Sequence, residues 1–169
     1  MPEPSEHTEN RPLLETILRK IPGFRGYLEK EYRRDSDNLQ RRWLADRLQR
    51  SKRGLDDYAR TLAEAAQLDT LPQCDRLRRR LDKLIGRIRS AMEGYSGVFD
   101  LVQIDEAVLD QVYAHDVALV TRVETLSTDV EALAGKTDDA TAQITALLRA
   151  ADDLEKEWDE REDILRGLE

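Results

Sequence analysis

The sequence predicts an all-α fold: an elongated antiparallel bundle of four to five helices with coiled-coil character. Three observations carry this. Across 169 residues there are only 8 glycines and 5 prolines, aromatics are 5% of the chain and 37% of side chains are charged, a composition of long helices rather than sheets. Apolar side chains recur at spacings of three and four over stretches far longer than a strand. Short connections carrying glycine, proline or capping residues separate those stretches, which makes sequence neighbours antiparallel.

In chain order, residues 1–9 are polar, contain two prolines and have no apolar period, so they read as a disordered tail, and residues 10–169 as one bundle domain. Asn10 can cap a short first helix with Pro12 in its first turn and Leu13, Leu14, Ile17, Leu18 and Ile21 on its apolar face; Pro22-Gly23 ends it. A second helix is expected from about Arg25 to Leu68, with a heptad stripe of Leu44, Leu48, Leu55, Tyr58, Leu62 and Ala65 interrupted by Ser51. Upstream, Phe24, Leu28, Tyr32, Leu39 and Trp43 trace an offset stripe, and Asp35-Ser36-Asp37-Asn38 consists of weak helix formers, so a kink or break there stays open.

Thr70-Leu71-Pro72-Gln73 has the form of a capping box opening the third helix, whose stripe is Leu77, Leu81, Leu84, Ile88, Met92 and Tyr95. Asp105 can cap the fourth, with Leu109, Val112, Asp116, Leu119, Val123, Leu126, Val130 and Leu133 on its stripe and Gly135 at its end. Thr137 can cap the fifth, with Ala140, Ile144, Leu147, Ala151, Leu154, Trp158, Leu165 and Leu168. No stretch reaches the length and apolarity of a membrane span. A single cysteine and the absence of a secretion signal fit a reducing, cytoplasmic setting.

Charge is distributed unevenly. The total is −8, yet the basic side chains crowd into the second and third helices and the acidic ones into the second half of the chain. A basic first half invites nucleic acid or anionic lipid, but an acidic second half can fold back and neutralise it. Arg76, Arg79, Arg80, Lys83 and Arg87 fall on one arc of the third helix as a candidate basic ridge. The same residues could pair with Asp152, Asp153, Glu155, Glu157, Asp159, Glu160, Glu162 and Asp163 of the fifth, which is the reading favoured here.

Candidate chemistry is sparse. Two histidines, His7 and His115, and one cysteine do not make a Cys/His metal site or a nucleophilic dyad, and there is no glycine-rich phosphate loop. No catalytic residue, metal or cofactor is therefore assigned. Cys74, beside the third stripe, reads as a small buried hydrophobe. Asp116 stands at a core position of the fourth helix, where a bare carboxylate would be costly. It is expected to meet Arg87 or Arg89 from the end of the third helix, with a tyrosine as second candidate, as a buried polar residue fixing helix register.

Two stretches, Ile21-Pro22-Gly23-Phe24-Arg25-Gly26-Tyr27 and Gly94-Tyr95-Ser96-Gly97-Val98-Phe99-Asp100, resemble the IPG-x-RGY and GY-x-G-x-FD signatures of an uncharacterised family of bacterial helical proteins. The resemblance implies a helical fold and a setting beside membrane-associated proteins of SPFH type; it implies no catalytic or binding residues. Independently, up-down order places the turns before the second and fourth helices at one end of the bundle. Phe24, Tyr27, Tyr95 and Phe99 are expected to meet there, as a hydrophobic plug or, with Arg25, Arg33 and Arg34, as a partner surface. The expected function is that of a non-enzymatic interaction or scaffold protein docking helices of a protein partner or of a second copy, with peripheral membrane contact allowed. The alternative is electrostatic binding of nucleic acid or anionic lipid through the ridge.

Overall fold

A computed structural model describes residues 11–27, 30–94 and 106–167. Five α-helices account for most of them: α1 (Arg11–Lys20), α2 (Lys30–Glu64), α3 (Leu71–Gly94), α4 (Glu106–Glu131) and α5 (Ala140–Arg166), with a 3₁₀ turn at Leu68–Thr70. Among the described residues there is no strand, and no helix is long and apolar enough to cross a membrane. The expected tail at 1–9, Asn10, Asp105 and the GY-x-G-x-FD stretch from Tyr95 onward lie outside the described residues.

The all-α bundle is as expected, and its core is built from the periodic positions. Leu44, Leu48, Leu55, Tyr58 and Leu62 of α2, Leu77, Leu81, Leu84 and Ile88 of α3, Leu119, Val123, Leu126 and Val130 of α4, and Ile144, Leu154, Trp158 and Leu165 of α5 are all buried. Each such burial removes about 1.5–3 kcal/mol of apolar exposure. Cys74 is buried among them, as expected of a small hydrophobe.

Ion pairs between helices fix their neighbours and directions. Lys52 pairs with Asp82, Arg78 with Asp56 and Arg89 with Asp46, so α2 and α3 run antiparallel. Arg47 pairs with Glu124 and Glu131, in a stretch where Gln40 reaches Asp116, so α2 and α4 run parallel side by side. Arg80 pairs with Asp152 and Arg87 with Asp159, a second parallel contact between α3 and α5. Around the bundle the order is thus α2, α3, α5, α4, with α1 packed on α4. Directions alternate along the chain as expected, but α3 and α4 face each other across the diagonal. At one point α2 and α4 approach so closely that a Cβ on Gly54 would lie 3.0 Å from the Cα of Glu131.

Several boundaries differ from expectation. α2 begins at Lys30 rather than Arg25, because residues 21–27 form an extended elbow in which Gly23 and Gly26 both have φ of +87°. It is continuous through Asp35–Asn38, so weak helix formers there do not break it. Its end at Glu64 leaves Ala65 and Leu68 exposed. Leu18, placed on the apolar face of α1, is exposed as well, since a two-sided stripe on a short helix packed against one neighbour leaves one edge uncovered. Thr70 does not cap α3; its hydroxyl lies 3.1 Å from that of Thr141, tying the starts of α3 and α5. α5 starts at Ala140, after Asp139 rather than Thr137, because Asp139 takes the left-handed conformation (φ +53°) that turns the chain into the helix.

Candidate functional site

The chemistry of the molecule concentrates where α2 and α4 begin and α3 and α5 end. Running the α2 stripe backward from Leu48 and Leu44 at its own spacing lands on Arg41 and Asp37. The stripe does not shift at that end; it turns polar. Arg33, Ser36, Asp37, Gln40 and Arg41 are all buried, while Leu39 and Trp43, expected on an offset stripe, are only half-buried. On α5 the seven-residue step from Trp158 to Leu165 is filled by Arg161. On α4 the polar core position is Asp116. Both are fully buried.

These residues form one network. Asp116 Oδ1 accepts from Arg161 Nε at 2.6 Å and from Gln40 Nε2 at 2.5 Å, and its Oδ2 accepts from the Tyr27 hydroxyl at 2.5 Å. Both oxygens are occupied as acceptors, as an ionised carboxylate requires. Arg161 Nη2 donates to Asp37 Oδ1 at 2.7 Å, reaching across the bundle diagonal, and Asp37 Oδ2 accepts from Arg41 Nε at 2.7 Å. Two carboxylates therefore face the two guanidiniums of Arg161 and Arg41, and these four charges balance; the buried Arg33 stands beside them on the Tyr27 carbonyl. Trp158 closes it apolarly, with Arg41 4.9 Å and Arg161 5.6 Å from its ring centre, a cation–π arrangement that a planar guanidinium suits.

Burial governs the ionisation of the layer. It would raise Asp37, but Arg161 and Arg41 outweigh it and hold that carboxyl below its ordinary range. It pushes Asp116 up, against Arg161 and the Tyr27 hydroxyl. Burial and then the Asp116 charge push the Tyr27 phenol well up, so it remains a donor. Burial alone would lower Arg161; Asp116 and Asp37 overcome that and hold it charged.

The layer also holds the elbow. Tyr27 is swung into the core, where its N–H donates to the Tyr113 hydroxyl at 2.6 Å and its carbonyl accepts from Arg33 Nε at 2.5 Å. Arg25 N–H donates to Ser36 Oγ at 3.1 Å. Gly26 is required here: a Cβ would lie 2.6 Å from the Tyr113 hydroxyl, at a φ that L side chains rarely adopt. Phe24 packs edge-on against Tyr27, ring centres 5.5 Å apart.

The expected sites are thus redistributed. Asp116 is buried and polar as expected, and the second candidate partner, a tyrosine, is present as Tyr27. The expected Arg87 or Arg89 is not its partner, because α5 lies between α3 and α4; Arg161 takes that place. Arg87 instead meets Glu155, Asp159 and Glu162, and Arg89 meets Asp46. Of the candidate partner surface, Phe24 and Tyr27 are core residues and Arg33 is 8% exposed, so these three do not present a surface. Arg25 and Arg34 are exposed. Tyr95 and Phe99 lie outside the described residues. On the basic ridge, Arg80, Lys83 and Arg87 are paired with acids of α5, as the charge balance suggested. Arg76 and Arg79 are exposed with no ion pair among the described residues.

Above the layer, Gly23, Arg25, Asp35, Ser36, Asn38, Leu39 and Arg42 line an open groove of about 390 Å³. Arg25 stands over the Tyr32 ring at 4.7 Å, which fixes its guanidinium at the groove edge. No family model, curated protein or solved structure matches the chain.

Proposed function

We propose that this chain is a non-enzymatic interaction protein, a rigid bundle that presents the elbow and the start of α2 to an acidic segment of a protein partner. The observation that carries the reading is the division of labour at this end of the bundle. The reactive-looking groups, Asp116, Asp37, Tyr27 and Arg161, are sealed and bonded to one another, with Arg161 Nη1 and Gln40 Oε1 left without a hydrogen-bond partner among the described residues, which suits a role in register and rigidity rather than turnover. The groove beside these groups is lined by two arginines, Arg25 and Arg42, against one acid, Asp35, with Leu39 as its apolar side chain, a net basic and partly apolar lining that an acidic amphipathic segment would match. In this reading the IPG-x-RGY stretch is a scaffold signature: its glycines and Tyr27 make the elbow, and its arginine makes the contact. The ridge on α3 supports the nucleic-acid or lipid alternative less well, since most of its charge is already met by α5.

Cross-linking mass spectrometry in native lysate tests the proposal. Links from Lys20, beside the elbow, to acidic peptides of one partner are expected, and they should disappear in Arg25→Glu/Arg42→Glu while the circular dichroism stays helical. Pull-down from the same lysate adds the other arm: a chain that is a compact monomer by light scattering and captures no protein contradicts the reading.

A further inference from the structure

We propose that His115, Glu157 and Glu160 form a surface site for a divalent transition metal of zinc type, clamping α4 to α5. Among the described residues, one ligand atom from each of these three side chains lies within 4.8 Å of the other two. His115 Nδ1 is already 2.7 Å from Glu157 Oε1. One imidazole and two carboxylates are a borderline-to-hard donor set that zinc accepts at about 2.0–2.2 Å, and three protein ligands leave one position for water.

The site is built from two helices rather than from a run of acids. Glu157 and Glu160 are three apart on α5 and so share one face; His115 projects from α4 opposite them. Ligands at such distances from one ion stand about 3.4 Å apart in a tetrahedron, so the wider separations close by at most about 1.4 Å while the 2.7 Å His115–Glu157 pair opens by about 0.7 Å. The exposed Glu160 side chain, 47% accessible, is free to make the larger movement. Arg122 Nε lies 3.7 Å from Glu157 Oε2, on the oxygen that does not face His115, which steadies that carboxylate as an outer partner. Lys156, 4.0 Å from Glu160 and 78% accessible, makes only a loose contact that a dication would displace.

Position gives the site a consequence. His115 adjoins Asp116, Glu157 adjoins Trp158 and Glu160 adjoins Arg161 in the chain, so a bound ion would tie α4 to α5 at the level of the buried layer. Binding to the folded form alone raises its stability by mass action.

Titrating the metal-free full chain with zinc chloride at pH 7.5, by calorimetry and by thermal unfolding, tests the assignment. One equivalent is expected to bind and to raise the midpoint. His115→Ala should lower affinity at least tenfold and abolish the shift, Glu160→Gln should weaken both, and His7→Ala should change neither. Cobalt should give visible absorption that His115→Ala removes. Absence of binding overturns the proposal, and so does binding that survives in His115→Ala. Because Glu160 is exposed, Glu160→Gln keeps the test decisive if His115→Ala misfolds: affinity equal to that of the parent chain also overturns it.

Discussion

Replacing Arg161 by methionine removes one guanidinium from a layer in which it serves two carboxylates. Asp116 would keep only Gln40 and Tyr27 as donors, and Asp37 would keep only Arg41, so two buried anions would face one cation. Breaking a buried pair in this way costs about 3–5 kcal/mol, most of it the penalty of the charge left behind. Against a total stability of about 5–15 kcal/mol, that is a large fraction. With a urea m-value of about 2 kcal/mol/M, a loss of 4 kcal/mol moves the midpoint down by roughly 2 M. The double variant Asp116→Leu/Arg161→Met behaves differently, since Asp37 and Arg41 remain as a matched pair and the removed charges are replaced by apolar volume. The Tyr27 hydroxyl and the Gln40 amide lose their acceptor, at about 1–3 kcal/mol each, but no charge is left unpaired, so the double loss should fall at least about 2 kcal/mol short of the sum of the two single losses. Urea unfolding followed by circular dichroism measures all three variants. A loss below about 1 kcal/mol for Arg161→Met, or simple additivity, would refute the description of a sealed, mutually neutralised layer.

Other perturbations probe the parts around it. Gly26→Ala should destabilise the chain by about 1–3 kcal/mol, because the left-handed backbone and the Tyr113 hydroxyl both oppose a Cβ; thermal unfolding reads it. Tyr113→Phe should cost about 1–3 kcal/mol by leaving the buried Tyr27 N–H without its acceptor, with faster amide exchange confined to the elbow. Charge reversal at Arg80 and Arg87 should destabilise the fold at low salt and less so at high salt, since both face Glu155. Acid should unfold the protein below about pH 4. Asp37 and Glu155 are held below their ordinary range, by Arg161 and Arg41 in one case and by Lys83 and Arg87 in the other. The unfolded chain therefore takes up protons first as pH falls, and their contribution is lost through the folded-state range. Asp116, pushed up by burial, works in the opposite direction, and Asp116→Asn should steepen the acid transition.

Much of this was legible in the sequence, and the parts that were not have physical reasons. Leu81, Val123 and Ile144 are buried because a spacing of three and four leaves a helix one apolar stripe and one place to put it. Asp116 was recognisable as an exception to that stripe. Arg161 and the Asp37–Arg41 pair satisfied the same period, but charged residues on a helix ordinarily read as a solvated face. Only their shared level across three helices separates them from such a face, and level is a property of packing. Arg87 and Arg89 were poor partners for Asp116 because adjacency in sequence does not fix adjacency around a bundle: α5 lies between α3 and α4. For Phe24 and Tyr27 the sequence leaves open a hydrophobic plug or a partner surface; two positive-φ glycines make the segment an elbow that points both rings inward, in keeping with the plug.

The most direct measurement of the buried layer is the solvent exchange of arginine Nε protons by ¹H–¹⁵N NMR. The Arg161 and Arg41 signals should persist in slow exchange, with contacts from Arg161 to the Tyr27 ring and loss of its protection in Asp116→Leu. If Arg161 Nε–H instead exchanges as fast as that of a surface arginine such as Arg79, the charges are in water and the layer described here does not exist.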